Sequence, residues 1–320
     1  MSFEPWHRVM LIFALFLSML QLKTLKESPA FAGMWINAFI VSVLCVTWLK
    51  KKTFNSNEKI LLVLGCSRFG YLCTTWIYNL FSAIYPWCFF VRPIPQLLAA
   101  IQSFFNSYNL WASAFLCVFY CIKIATFRHI FFSYLKLKID RIVPWLLLSF
   151  LFSSLFLCTL AYDFTGKICC QNLNSTTLGN LWESSVRIDE HIFPIFFISG
   201  LTFATAFMAV IFSVLLLLFS LWRHKCKMQT NSMKDLSMDA HIKAMKSILS
   251  FFFIYSINFI VLVLMLIYAT KMENPVVFLT LILQYVFPSV HSLILILSNP
   301  KLKKALLRTL PCVKCKVRMK

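Results

Sequence analysis

Arg68 stands inside a long apolar run of this 320-residue chain, and none of the comparable runs holds an Asp or Glu that could pair with it. An ionised side chain within hydrocarbon is costly unless neighbouring groups solvate it, so such a residue marks a site by default. Asn37 in an earlier run and Ser292 late in the last one are candidate hydrogen-bond partners, together with backbone carbonyls. Two roles fit: a packing and register device, or a switch element that changes partners as the protein changes shape. Uncharged amides recur in similar surroundings. Gln102 and Asn106 are four residues apart and so share one helix face, with Asn258 and Gln284 in later runs. Singly, a buried amide usually ties helices together. Four at similar depth, among aromatic residues, suit the lining of a small-molecule cavity.

Other chemistry is missing. His7, His129, His191, His224, His241 and His291 show no metal-ligand spacing, and the six glycines form no phosphate loop. No enzyme, metal site or cofactor is expected. Cys312 and Cys315 have the spacing of half a zinc site without a second pair. In a basic juxtamembrane tail they read as S-palmitoylation sites, with free thiols as the alternative. Cys45, Cys66, Cys73, Cys117, Cys121 and Cys158 lie within apolar runs and behave as small hydrophobes rather than a disulfide framework. Asn174-Ser175-Thr176 is the one N-glycosylation sequon.

The elements that must position these residues follow from composition. The chain is 60% hydrophobic and 13% charged, against roughly 25% charged in a soluble domain. Too little polar surface remains to coat a water-soluble globule. Apolar runs long enough for a core about 30 Å thick occur at 31–49, 60–83, 95–125, 142–162, 192–221, 248–269 and 275–298. They are continuously apolar and do not alternate, which excludes barrel strands and leaves helices. No internal repeat or boundary is visible. The expectation is an all-α membrane protein of one domain, a bundle of seven transmembrane helices, with a short basic tail at 299–320.

Net charge is +20, yet the basic residues punctuate apolar runs instead of covering one face, which argues for lipid headgroups and against nucleic acid. Alternate loops and the tail hold 22 Lys and Arg, and the opposite loops hold 4. By the positive-inside rule the N-terminus is extracellular and the C-terminus cytoplasmic. The sequon falls on the outer side of that count. A further apolar run at 9–22 is too short to span. It reads as an interfacial segment or an extension of the first helix, with a cleaved signal peptide as the alternative.

Six strings, in order, resemble the type 2 bitter taste receptors from Asn37 onward. They are NAFIV at Asn37, LGCSRF around Ser67 and Arg68, LWASAFLCVFYCIKIA at 110–125, SLWRHKCKM at 220–228, AHIKAMKS at 240–247 and HSLILILSNPKLKKA at 291–305. The resemblance implies structural or activation roles for Asn37, Arg68, Trp111, Tyr120, His291 and Ser292. It also implies a ligand pocket that includes Gln102, Asn106, Asn258 and Gln284. Its partners would be small bitter agonists and a gustducin-type heterotrimeric G protein at the cytoplasmic ends, in the plasma membrane, with self-association into an oligomer left open. One departure bears on ligand choice: Gln102 stands where the family commonly has a Trp. The rhodopsin-type DRY string is replaced by FYC at 119–121, as in this family. A vomeronasal type 1-like receptor and a transporter are the alternatives, the first opposed by NPKLK and FYCIKIA, the second by the lack of repeats and broken helices.

Overall fold

The computed structural model describes residues 28–84, 93–125, 130–174, 181–228, 249–250, 252–261, 263–264 and 275–309, and its regular elements are all α-helices. The run at 9–22, Cys312 and Cys315 lie outside the described residues.

Helix α1, Ser28–Lys51, ends where Lys50 and Lys51 complement the negative pole of the helix dipole. Lys52 then turns left-handed at φ 53° and donates its N–H to Trp48 O (2.6 Å). Helix α2, Ser56–Ile84, opens on half of a capping box, with the Asn55 N–H donating to Glu58 Oε2 at 3.0 Å. Helix α3, Ile94–Ile124, carries Pro95 in its first turn, where a missing N–H leaves no gap. Helix α4, Ile130–Asn174, is 45 residues long and runs through Pro144. Helix α5, Leu181–Met228, has 48 residues. Helix α6 covers Phe252–Val261 and helix α7 Pro275–Ser298. Within the basic tail at 299–320 lies a short helix, α8, Pro300–Thr309. Its start is legible in retrospect: Asn299 caps it, accepting from Lys301 N at 3.0 Å, and Pro300 takes the first helical position.

Among the described residues, five helices, α1 to α5, contain stretches long and apolar enough to cross a membrane, and α6 and α7 contribute the apolar stretches Phe252–Val261 and Val286–Ser298. Helices α4 and α5 continue well beyond the apolar runs at 142–162 and 192–221, because a helix need not stop where the hydrocarbon does.

Helix α3 is the central element, packed on α2, α4 and α5, while α1 packs on α2 and α7. Its pairings fix directions. Arg68 meets Asn109 and Thr75 meets Gln102, so α2 runs against α3; Tyr108 meets the Leu147 carbonyl and Ser107 meets Ser154, so α4 does too. Gly33 lies against Ser289 and Asn37 against Ser292, so α1 and α7 run the same way. An alanine Cβ at Gly33 would stand 2.1 Å from Ser289 Oγ and 2.7 Å from Leu72 Cδ1, so three helices meet where only hydrogen fits. Inside, Ile40, Leu61, Leu64, Leu116 and Leu217 are buried; outside, Trp35, Trp145 and Phe197 are bare. Large apolar side chains facing outward suit lipid as the solvent.

Candidate functional site

Arg68 is 2% exposed, held at the middle of α2 by apolar neighbours that leave its guanidinium no route to water. A guanidinium has five N–H donors in a fixed fork and accepts nothing. Four donors are placed. Nε donates to Asn109 Oδ1 (2.9 Å), Nη1 to Ser292 Oγ (2.8 Å), and Nη2 both to Ser113 Oγ (3.0 Å) and to His291 Nδ1. Ser292 Oγ passes the network on to Asn37 Oδ1 (2.7 Å), and the Asn37 amide donates to Gly33 O (2.8 Å). One cation thus joins α1, α2, α3 and α7 through neutral dipoles alone. Because Arg68 can only donate, His291 Nδ1 must accept, which places the ring proton of a neutral imidazole on Nε2.

Asn37 was expected beside Arg68, but it reaches the guanidinium only through Ser292. Ser67, adjacent to Arg68, turns instead to its own helix, donating to Leu64 O at 3.1 Å. Sequence reasoning missed Asn109 and Ser113. Their spacing of four on α3, one turn beyond Asn106, was the available signal, and Ser113 also donates to Asn109 Oδ1 at 3.4 Å. Tyr255 of α6 was missed as well. Its hydroxyl donates to the Leu110 carbonyl at 2.9 Å and so brings a fifth helix to this level.

The remaining residues singled out from sequence are dispersed. Trp111 stacks on Phe150 of α4 with ring centroids 5.4 Å apart, and its buried Nε1 has no protein partner among the described residues. Tyr120 lies at the far end of α3, donating to Asn57 Oδ1 at 3.2 Å. Gln102 turns toward α2 and donates to Thr75 Oγ1 at 3.3 Å. Asn106 is exposed. It lies one turn before Asn109, which faces α2, and Leu110, whose carbonyl meets α6. Asn258 is half-buried on α6. Phe259 stacks on Phe207 of α5 with centroids 4.7 Å apart, and Tyr255 faces α3, which leaves Asn258 on the α3 side, away from α5. The side chain of Gln284 and that of Asn174, the last residue of α4, are outside the described set. No group of three or more potential metal ligands occurs among the described residues.

The arrangement has two levels, a closed polar hub around Arg68 and, about one helical turn away, amides that remain accessible.

Comparison with known proteins gives a consistent result. The family model described as "Taste receptor protein (TAS2R)" matches residues 11–314. Taste receptor type 2 member 9 of Papio hamadryas is 30% identical over 298 residues, covering 88% of this chain and 90% of that protein. Human taste receptor type 2 member 9 is 30% identical over 289 residues, 89% of this chain and 92% of the relative. Taste receptor type 2 member 40 of Gallus gallus is 32% identical over 285 residues, with 86% and 89% covered.

Proposed function

The chain belongs to the taste receptor type 2 family, a bitter taste receptor and multi-pass membrane protein, and with that as premise we propose that it is a seven-helix receptor at the plasma membrane. It detects small, mostly neutral or amphipathic bitter compounds and activates a gustducin-type heterotrimeric G protein. The family is not one of enzymes, vomeronasal receptors or transporters.

Helix directions support seven crossings. Helices α1, α3 and α7 run one way and α2 and α4 the other. Helix α5 is long and apolar enough to cross, so α6 must cross as well for α7 to return parallel to α1. The loop charge asymmetry supports a cytoplasmic tail. Lys123, Asp140, Glu58 and Lys301 gather at the basic end, where Lys123 pairs with Asp140 at 2.6 Å and Lys301 with Glu58 at 2.5 Å. Asn174 lies about 48 Å along α4 from the edge of that end, beyond the far side of a core about 30 Å thick, which suits a glycan on the outer side.

The observation that carries the ligand reading is the Tyr255–Leu110 bond, which ties α6 to α3 one turn from the amides Asn106 and Asn258. In an alternating bundle α6 runs against α3, so each amide lies one turn toward the outside of the Tyr255–Leu110 bond. We assign the pocket to that level and outward from it, with Gln284 as its residue on α7 and Gln102 shaping selectivity one turn further out. Losing an amide that bonds the ligand costs about 0.5–1.5 kcal/mol, more if a buried ligand group is left unpaired, so potency should fall roughly threefold to over tenfold. Dose–response curves for Asn106→Ala, Asn258→Ala and Gln284→Ala at matched surface levels test this. If all three leave every half-maximal concentration unmoved, these amides are helix glue and the pocket lies elsewhere.

A further inference from the structure

The first turn of α2 carries three consecutive side chains that each reach a different element at the basic end. Ser56 Oγ donates to the Asp140 carbonyl of α4 (3.5 Å), Asn57 Oδ1 accepts from Tyr120 of α3 (3.2 Å), and Glu58 Oε1 accepts from Lys301 Nζ of α8 (2.5 Å). Glu58 is only 4% exposed, which is rare for a carboxylate unless both oxygens are used. They are, for different purposes. Oε2 takes the Asn55 N–H and completes the cap of α2, while Oε1 takes the ammonium. Capping accounts for the first oxygen and leaves the second to be explained.

Helix α8 is held at few points. Leu302 is fully buried in the main core cluster, with Leu306 half-buried against it. The exposed Lys303, Lys304 and Arg308 face away from the bundle. A leucine in a socket attaches a ten-residue helix but constrains its rotation weakly, since apolar contact is non-directional. The Glu58–Lys301 ion pair is directional, and it lies one residue from that anchor.

We propose that Glu58 is a positioning residue for coupling: through Lys301 it sets the orientation of α8, so that Lys303, Lys304 and Arg308 form a basic surface presented to the G protein. The idea rests on the G-protein reading above and extends it to a residue pair outside the Arg68 hub. Glu58→Gln keeps an oxygen for the cap and removes the ion pair; Lys301→Gln removes the pair and leaves the cap untouched.

Two readouts test it on the full-length receptor. Hydrogen exchange over residues 300–309 of purified receptor should quicken equally in Glu58→Gln, Lys301→Gln and the double variant. In cells with matched surface expression, each single variant should lower the maximal calcium response about two- to fivefold, the range for a partly exposed pair, and the double should fall no further. Unchanged exchange in both single variants overturns the positioning role. So does a normal response in Glu58→Gln beside an impaired Lys301→Gln, which would make Lys301 a direct G-protein contact. A wild-type receptor that activates no G protein while exchange quickens as expected would instead sink the coupling reading and leave α8 positioned by the pair.

Discussion

Replacing Arg68 by alanine should impair the response to every agonist by a similar factor, because the hub bears on helix arrangement and not on ligand contact. The magnitude follows from what each partner loses. Ser292 keeps Asn37 as acceptor at 2.7 Å and Ser113 keeps Asn109 at 3.4 Å, so two of the four partners can re-pair within the site. His291 Nδ1 loses the Arg68 donor, and Asn109 Oδ1 loses its better one. Each such buried loss costs about 1–3 kcal/mol, and the void left by a buried long side chain adds to it. Relief of the guanidinium's own desolvation offsets part of this. A net of about 4 kcal/mol corresponds to roughly a thousandfold in the equilibrium between packed and unpacked arrangements. Arg68→Lys keeps the charge but offers donors from a single nitrogen, which cannot span from Asn109 to Ser292, so it should give an intermediate defect. Surface labelling, thermal unfolding of detergent-purified receptor and calcium responses to several agonists would be measured together. An Arg68→Ala receptor at normal surface level with unchanged stability and responses would refute the hub.

Three further outcomes are expected. Gly33→Ala should lower thermal stability and surface yield, since its Cβ would meet Ser289 Oγ at 2.1 Å, and Ser289→Ala in the same chain should recover part of the loss; additive damage would contradict the close approach. Gln102→Trp should change which compounds are active more than how strongly the receptor signals, because an indole replaces an amide with a stacking surface; an unchanged agonist profile across a compound panel would count against Gln102 as a selectivity residue. Asn174→Gln should abolish an endoglycosidase-sensitive mobility shift, and an epitope on the tail should stain only permeabilised cells; staining of intact cells would reverse the orientation.

Much of this was legible in the sequence because lipid makes hydrophobicity an almost direct readout of helices. The run at 275–298 and helix α7 coincide in extent, and α4 and α5 outrun their apolar runs only where charged residues continue the helix into water. Arg68 announced itself as a charge deep within an apolar run, and its bond to Ser292 follows from one residue seeking a partner. What escaped depends on rotation and register. Asn106 and Asn109 are both asparagines of α3, yet 300° of helical rotation sends one to the guanidinium and leaves the other accessible, and nothing in composition separates them. Tyr255 escaped because its partner is a backbone carbonyl, which every residue possesses. The Glu58–Lys301 pair escaped because two charges 243 positions apart meet only once α8 has folded back against the start of α2.

A calcium-release screen tests the central claim most directly: cells expressing the full chain with a promiscuous G protein are exposed to a panel of structurally diverse bitter compounds, with surface expression measured in parallel. At least one compound should evoke a concentration-dependent signal that is absent from untransfected cells, weakened by Asn106→Ala or Asn258→Ala, and depressed by Arg68→Ala. Silence across the whole panel from a receptor shown to be at the surface, while a related bitter receptor responds in the same cells, would contradict the account.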